Sequence, residues 1–170
     1  MDMRDGMNYA PKGKPMPVVK KGEFVFSVAY LKHGHIFGMT AGLLEAGATI
    51  KYVYDDDQTL VDRFLEMHPQ AIQAESFQTI LDDGDTRLVA SAAVTSKRAE
   101  AGFQVMRSGK DYFTDKAPFT TLEQIETARR LIAETERKYM VYYSEYLHVE
   151  SAVYAKQLID EGRIGTIYHW

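Results

Sequence analysis

From Phe24 onward, short runs of β-branched and aromatic residues alternate with stretches in which apolar residues recur every three or four positions. The first rhythm marks strands and the second marks amphipathic helices. Residues 24–30 are almost continuously apolar, the pattern of a strand covered on both faces. The helix after it puts Ile36, Met39, Leu43 and Leu44 on one face and meets Gly47 as its stop. A second strand covers 49–54. Its helix opens at Asp55-Asp56-Asp57, where carboxylates favour the positive helix end, turns Leu60, Val61, Phe64 and Leu65 inward, and closes at His68-Pro69. A short strand at 71–74 and a short helix at 76–81 end in the turn 82–85.

The pattern then repeats. A strand of small residues covers 88–94, and the next helix places Ala99, Gly102, Phe103 and Met106 on one face before Gly109. A fifth strand covers 112–114. The helix 121–137 carries Leu122, Ile125 and Ile132 on one stripe, with Thr120 and Glu123 as a capping box. A sixth strand covers 138–143, and a helix over 147–161 with Leu147, Ser151, Tyr154 and Leu158 on one face ends at Gly162. Residues 164–170 read as a seventh strand, whose open edge would favour self-association. Six strand–helix units joined by short loops predict an α/β fold: a doubly wound parallel sheet with helices on both faces. Such sheets bind ligands at the carboxyl ends of the strands, where strand order reverses. That directs attention to the loops at 30–35, 54–57, 92–98 and 114–118.

Composition narrows the classes without deciding among them. The chain has 170 residues, 45% of them apolar and 26% charged, so one full globular core fits. A formal charge of −4 and the lack of a dense basic run beyond Lys12–Lys21 argue against a nucleic-acid partner. No apolar run is long enough to span a membrane. The absence of Cys fits a reducing, cytoplasmic setting. Residues 1–22 carry Pro11, Pro15 and Pro17 among lysines and read as an extended, solvated leader.

Two loops carry candidate chemistry. The turn after the first strand runs Tyr30-Leu31-Lys32-His33-Gly34-His35-Ile36-Phe37-Gly38; it lacks the G-x-G-x-x-G spacing of a dinucleotide turn but keeps Gly34 and Gly38 for close approach. Asp55 lies 20 residues beyond His35 at the end of the second strand. A carboxylate there accepts hydrogen bonds from an adenosine ribose and repels a 2′-phosphate, favouring NAD over NADP. The competing reading of Asp55 is a helix cap. His33-x-His35 has metal-ligand character, but no third ligand lies near it in the sequence, so no metal is expected. Asp115-Lys116 sets an acid and a lysine at the carboxyl end of the fifth strand. That lysine can hydrogen-bond a substrate hydroxyl and the nicotinamide ribose; a surface ion pair is the alternative.

These residues resemble the nucleotide-binding half of the Gfo/Idh/MocA oxidoreductases. The resemblance runs from about Phe24 to Trp170 and rests on the His33–Gly38 turn, Tyr54-Asp55, the Gly109-Lys110…Asp115-Lys116 stretch and residues 158–165. It implies an NAD(P)-binding Rossmann fold and hydride transfer between nicotinamide and a sugar, polyol or related ring alcohol. Lys116 matches the family's catalytic lysine. The cofactor contacts it implies are His33, Gly34, His35, Ile36, Asp55, Ala93, Val94, Thr95, Asp115 and Lys116, with Tyr143 and Glu145 facing substrate. NAD is the expected cofactor, NADP the less favoured one, and a homo-oligomer the expected assembly. Tyr30 stands where the family begins its glycine fingerprint, Arg98 replaces a histidine, and Ala117 replaces a proline. The family's second domain supplies the proton-transfer groups, so the expected organisation is a leader at 1–22, a dinucleotide domain at 23–163 and the start of a substrate domain at 164–170. On that expectation the chain is half of an enzyme and inactive alone; a fold kept without chemistry, as a non-catalytic nucleotide-binding or interaction module, is the alternative.

Overall fold

A computed structural model describes residues 16–143 and 150–168. Six strands form one parallel sheet: β1 (Val25–Ala29), β2 (Thr49–Tyr54), β3 (Ile72–Gln73), β4 (Leu88–Ser91), β5 (Asp111–Asp115) and β6 (Tyr139–Tyr142). Their order is β3-β2-β1-β4-β5-β6, so the chain reverses its direction of growth between β1 and β4. The helices between them are α1 (His35–Glu45), α2 (Gln58–Met67), α3 (Phe77–Asp82), α4 (Thr95–Arg107) and α5 (Leu122–Thr135). This is the doubly wound Rossmann-like arrangement that the alternation predicts.

Side-chain alternation along the strands feeds two cores. Phe26, Val28, Ile50, Val53 and Ala90 pack on one face against Ile36, Met39, Val61 and Phe64 of α1 and α2. Ala29, Val89 and Tyr112 pack on the other against Ile80, Phe103, Met106, Ala128 and Leu131 of α3, α4 and α5. Every residue of β4 is buried, which accounts for its small side chains and lets its neighbours close over it. At Gly102 a Cβ would come within 2.5 Å of the Tyr112 ring, so α4 rides on β5 at a distance only glycine allows. Gly47, with φ near 97°, ends α1 as expected. Register aligns the carboxyl ends: Ala29 lies beside both Tyr54 and Ser91, Ser91 beside Thr114, and Asp115 beside Tyr142.

Several boundaries differ from the sequence reading. The capping box of α5 uses Thr121 and Gln124, one residue later than Thr120 and Glu123. Its buried stripe is Ala128 and Leu131, while Leu122 and Ile132 are exposed. The fourth strand ends at Ser91 rather than Val94, because Val94 becomes the N-cap of α4. Residues 164–168 do not form a strand; a strand needs a ladder partner, and the described residues offer them none. The leader is tied at its described end, with Val18 and Val19 N–H donating to the Ala46 carbonyl (2.9 and 3.3 Å). Residues 16–142 form one compact unit; α6 (Glu150–Asp160) belongs to a second, and Gly162 just after it is left-handed. Leu147, assigned to that helix by its pattern, lies outside the described residues.

Candidate functional site

The strand-order reversal opens a crevice at the carboxyl ends of β1 and β4, and the loops after β1, β2, β4 and β5 surround it. A cleft of about 360 Å³ there is lined by Tyr30, Lys32, Asp56, Ala93, Val94 and Lys97. The turn leaving β1 bends at Tyr30, whose φ of 61° is a conformation glycine adopts without strain and tyrosine does not. Tyr30 is held there by ring contacts with Phe77 (5.0 Å between centroids) and Tyr54 (6.0 Å) and by its N–H donating to the Tyr54 carbonyl (2.9 Å). Burial pushes its phenol up to about 12, so it stays protonated at neutral pH. Counted from that bend, the positions of a G-x-G-x-x-G turn fall on Tyr30, Lys32 and His35. Gly34 caps α1 and a Cβ there would meet open space.

The acidic end of β2 is arranged around Asp55. Its side chain is buried; Oδ2 accepts from Leu31 N–H (2.6 Å) and Oδ1 from Asp57 N–H (2.8 Å) and Lys32 Nζ (2.7 Å). Lys32 also reaches the exposed Asp56 (2.6 Å), and hydrogen bonding to the two carboxylates raises its pKa above the ordinary lysine value. Asp57 caps α2 by accepting from Thr59 N–H (3.0 Å). The cap expected at this loop is thus Asp57, while Asp55 joins the loop after β1 to the loop after β2.

At the end of β5 a second aspartate collects a denser set of partners. Asp115 is 1% exposed. Its Oδ1 lies 2.8 Å from His35 Nδ1 and accepts from Lys116 N–H at 2.8 Å; its Oδ2 lies 3.2 Å from His33 Nδ1 and accepts from Arg98 Nη2 at 3.1 Å. Arg98, buried on α4, also donates through Nε to the Ala93 carbonyl (2.7 Å) and through Nη1 to the carbonyls of Lys116 and Ala117. One guanidinium therefore ties the loop after β4 to the loop after β5. The peptide joining Lys116 and Ala117 is cis.

Of the residues singled out from sequence, His33, His35, Asp115 and Lys116 come together at the β5 end, and Ala93 and Val94 line the cleft. Ile36 is buried under α1 and contributes to the core. Thr95 is the exposed first residue of α4. Tyr143 is exposed beyond β6, and Glu145 lies outside the described residues. The residue missed as a site member is Arg98. Its signal is an arginine on the apolar face of α4, beside Ala99 and Gly102.

No family model matches the sequence, and no curated protein does. Solved structures do match. A candidate oxidoreductase of Erwinia carotovora atroseptica SCRI1043 is 36% identical over 84% of this chain, with a TM-score of 0.80. Over the matched span the chain is similar in sequence and fold to this oxidoreductase, in keeping with the resemblance to the Gfo/Idh/MocA type. Two further matches of the same fold are scyllo-inositol dehydrogenase of Lactobacillus casei (20% identity, 85% of this chain, TM-score 0.72) and the WlbA dehydrogenase of Chromobacterium violaceum (18%, 90%, 0.75). The first was solved with NAD(H) and scyllo-inositol, the second with NADH and UDP-GlcNAcA. The chain spans 43% of the Erwinia chain, 43% of the Lactobacillus chain and 44% of the Chromobacterium chain.

Proposed function

We propose that this chain is the nucleotide-binding half of an NAD-dependent oxidoreductase acting on a sugar, polyol or related ring alcohol. The observation that carries the reading is the juxtaposition at the strand-order reversal: a polar-rimmed cleft between the β1 and β4 loops, with Asp115-Lys116 beside it at the end of β5. The residues fit a dinucleotide unevenly. The cleft between Asp56, Ala93 and Val94 suits an adenosine, and the open face over Gly34 admits phosphate oxygens to donors on Lys32, His33 and His35. Bound nicotinamide supplies the hydride acceptor. Lys116 would hydrogen-bond and orient the substrate hydroxyl, with its backbone fixed by Arg98 and Asp115. Asp56, exposed where Asp55 is enclosed, takes over as the carboxylate facing the ribose and disfavours a 2′-phosphate.

The cofactor contacts in this reading are His33, Gly34, His35, Asp55 through Lys32, Ala93, Val94, Thr95, Asp115 and Lys116. A cytoplasmic homo-oligomer is the assembly we favour, on the absence of Cys and on β6 standing last in the sheet among the described residues. The test is an NADH and NADPH titration followed by fluorescence and by amide shifts at 93–95 and 116. Saturable binding in the micromolar-to-millimolar range, tighter for NADH, is expected. No binding of either nucleotide at millimolar concentration would favour the non-catalytic reading, which the enclosure of Asp55 and the tyrosine in the turn support.

A further inference from the structure

We propose that His33, His35 and Asp115 form a binding site for a divalent transition-metal ion of the zinc class. His-x-His offers two imidazoles on one turn; what the sequence withholds is the third ligand, and the fold brings it from 80 residues away. One ring nitrogen from each histidine and one carboxylate oxygen of Asp115 all lie within 4.8 Å of one another, and the carboxylate approaches His35 Nδ1 at 2.8 Å and His33 Nδ1 at 3.2 Å. Ligand atoms each about 2.0–2.2 Å from one ion stand about 3–3.5 Å apart, so the cluster is close to coordination spacing. Among the described residues no other group of His, Cys, Asp and Glu gathers in this way.

Proton placement is the second observation. The His35 N–H points at His33 Nδ1 at 3.2 Å, which calls for a lone pair on that nitrogen. The same nitrogen faces Asp115 Oδ2 at 3.2 Å, which calls for a proton on it. One nitrogen meets one demand at a time; with the ring proton on Nε2, the Nδ1 lone pair faces the Asp115 oxygen, and a cation between them takes that lone pair in exchange for the long His35 N–H contact. The carboxylate is also held as a ligand should be, buried and braced by Arg98 Nη2 and Lys116 N–H. Two imidazoles and one carboxylate suit Zn²⁺ and Fe²⁺ better than Mg²⁺ or Ca²⁺, and with no Cys in the chain there is no thiolate to select a softer ion. The His33 side chain is 51% exposed and that of His35 32%, so the remaining positions face solvent. Arg98 offsets the Asp115 charge, which places the affinity at the micromolar rather than the nanomolar end.

The three ligands are also contacts of the dinucleotide reading, so metal binding is measured without nucleotide and its failure is separate from a failure of nucleotide to bind. Chelator-treated protein is titrated at pH 7.5 with Zn²⁺ by calorimetry and with Co²⁺ by visible absorption. One equivalent should bind, with ligand-field bands for Co²⁺. His33→Ala, at an exposed position that cannot unfold the domain, should weaken binding about tenfold or more, as should His35→Ala. His68→Ala, a control away from the cluster, should leave it unchanged. Absence of binding at millimolar Zn²⁺, or undiminished affinity in the His33→Ala/His35→Ala double variant, would overturn the proposal.

Discussion

Asp55 and Asp115 occupy equivalent places, at the carboxyl ends of β2 and β5, and both are buried; their partners differ completely. Asp55 is held by two backbone N–H groups and one lysine, all from the loops it joins. Asp115 is held by one backbone N–H, a buried guanidinium and two partly exposed imidazoles. A carboxylate satisfied by backbone becomes part of the scaffold. One satisfied by titratable rings stays coupled to whatever those rings meet. The β2 end is therefore the structural end of the crevice and the β5 end the chemical one.

The largest way to break that contrast is Arg98→Ala. The arginine is 4% exposed and shares its charge with an aspartate 1% exposed, so its removal leaves a buried carboxylate without its cation. A loss of about 3 kcal/mol or more in urea unfolding is expected. Adding Asp115→Asn in that background should restore part of it, because a neutral amide no longer needs the guanidinium. A loss under about 1 kcal/mol would mean that the clamp on the loops after β4 and β5 is ornamental.

Asp55→Asn is the matching change at the other end. The amide keeps one acceptor oxygen but turns an N–H₂ toward either Leu31 N–H or Asp57 N–H, leaving a buried donor facing a donor. That costs about 1–2 kcal/mol, less than at the β5 end because no buried charge is stranded. Unfolding midpoints of the two variants, measured together, order the two ends.

The contrast also marks how far the sequence was legible. Strand and helix order followed from hydrophobic period alone, since β1 and β4 are buried on both faces and the helices are amphipathic. The α5 cap slipped by one residue because Thr120 and Thr121 both precede an acceptor at the right spacing; Gln124 Oε1 in fact takes N–H groups from both threonines. Asp55 and Lys116 were found as strand-end residues. What Asp55 bonds to, and that Arg98 and two histidines converge on Asp115, depends on which loops the strand order brings together. His35 and Asp115 are 80 positions apart, and periodicity carries no distance information across that span.

The smallest effect expected is also the one that separates screening from burial. Lys32 bridges Asp55 and Asp56, but its side chain is 27% exposed and that of Asp56 68%, so the pair lies in a high-dielectric setting. Lys32→Met should cost no more than about 1 kcal/mol at pH 7, and less at high salt. The hydrogen-bonded Asp55 carboxyl and the Lys32 ammonium together pull Asp56 down to about 2 from the ordinary 3.8. A depressed carboxylate contributes stability above its unfolded pKa and loses it as pH falls through the folded one. The difference between wild type and Lys32→Met should hold steady from pH 7 to 4 and shrink between pH 4 and 2. A difference that instead persisted at pH 2, measured by urea unfolding, would mean Lys32 acts through packing of its methylenes over the loop rather than through charge.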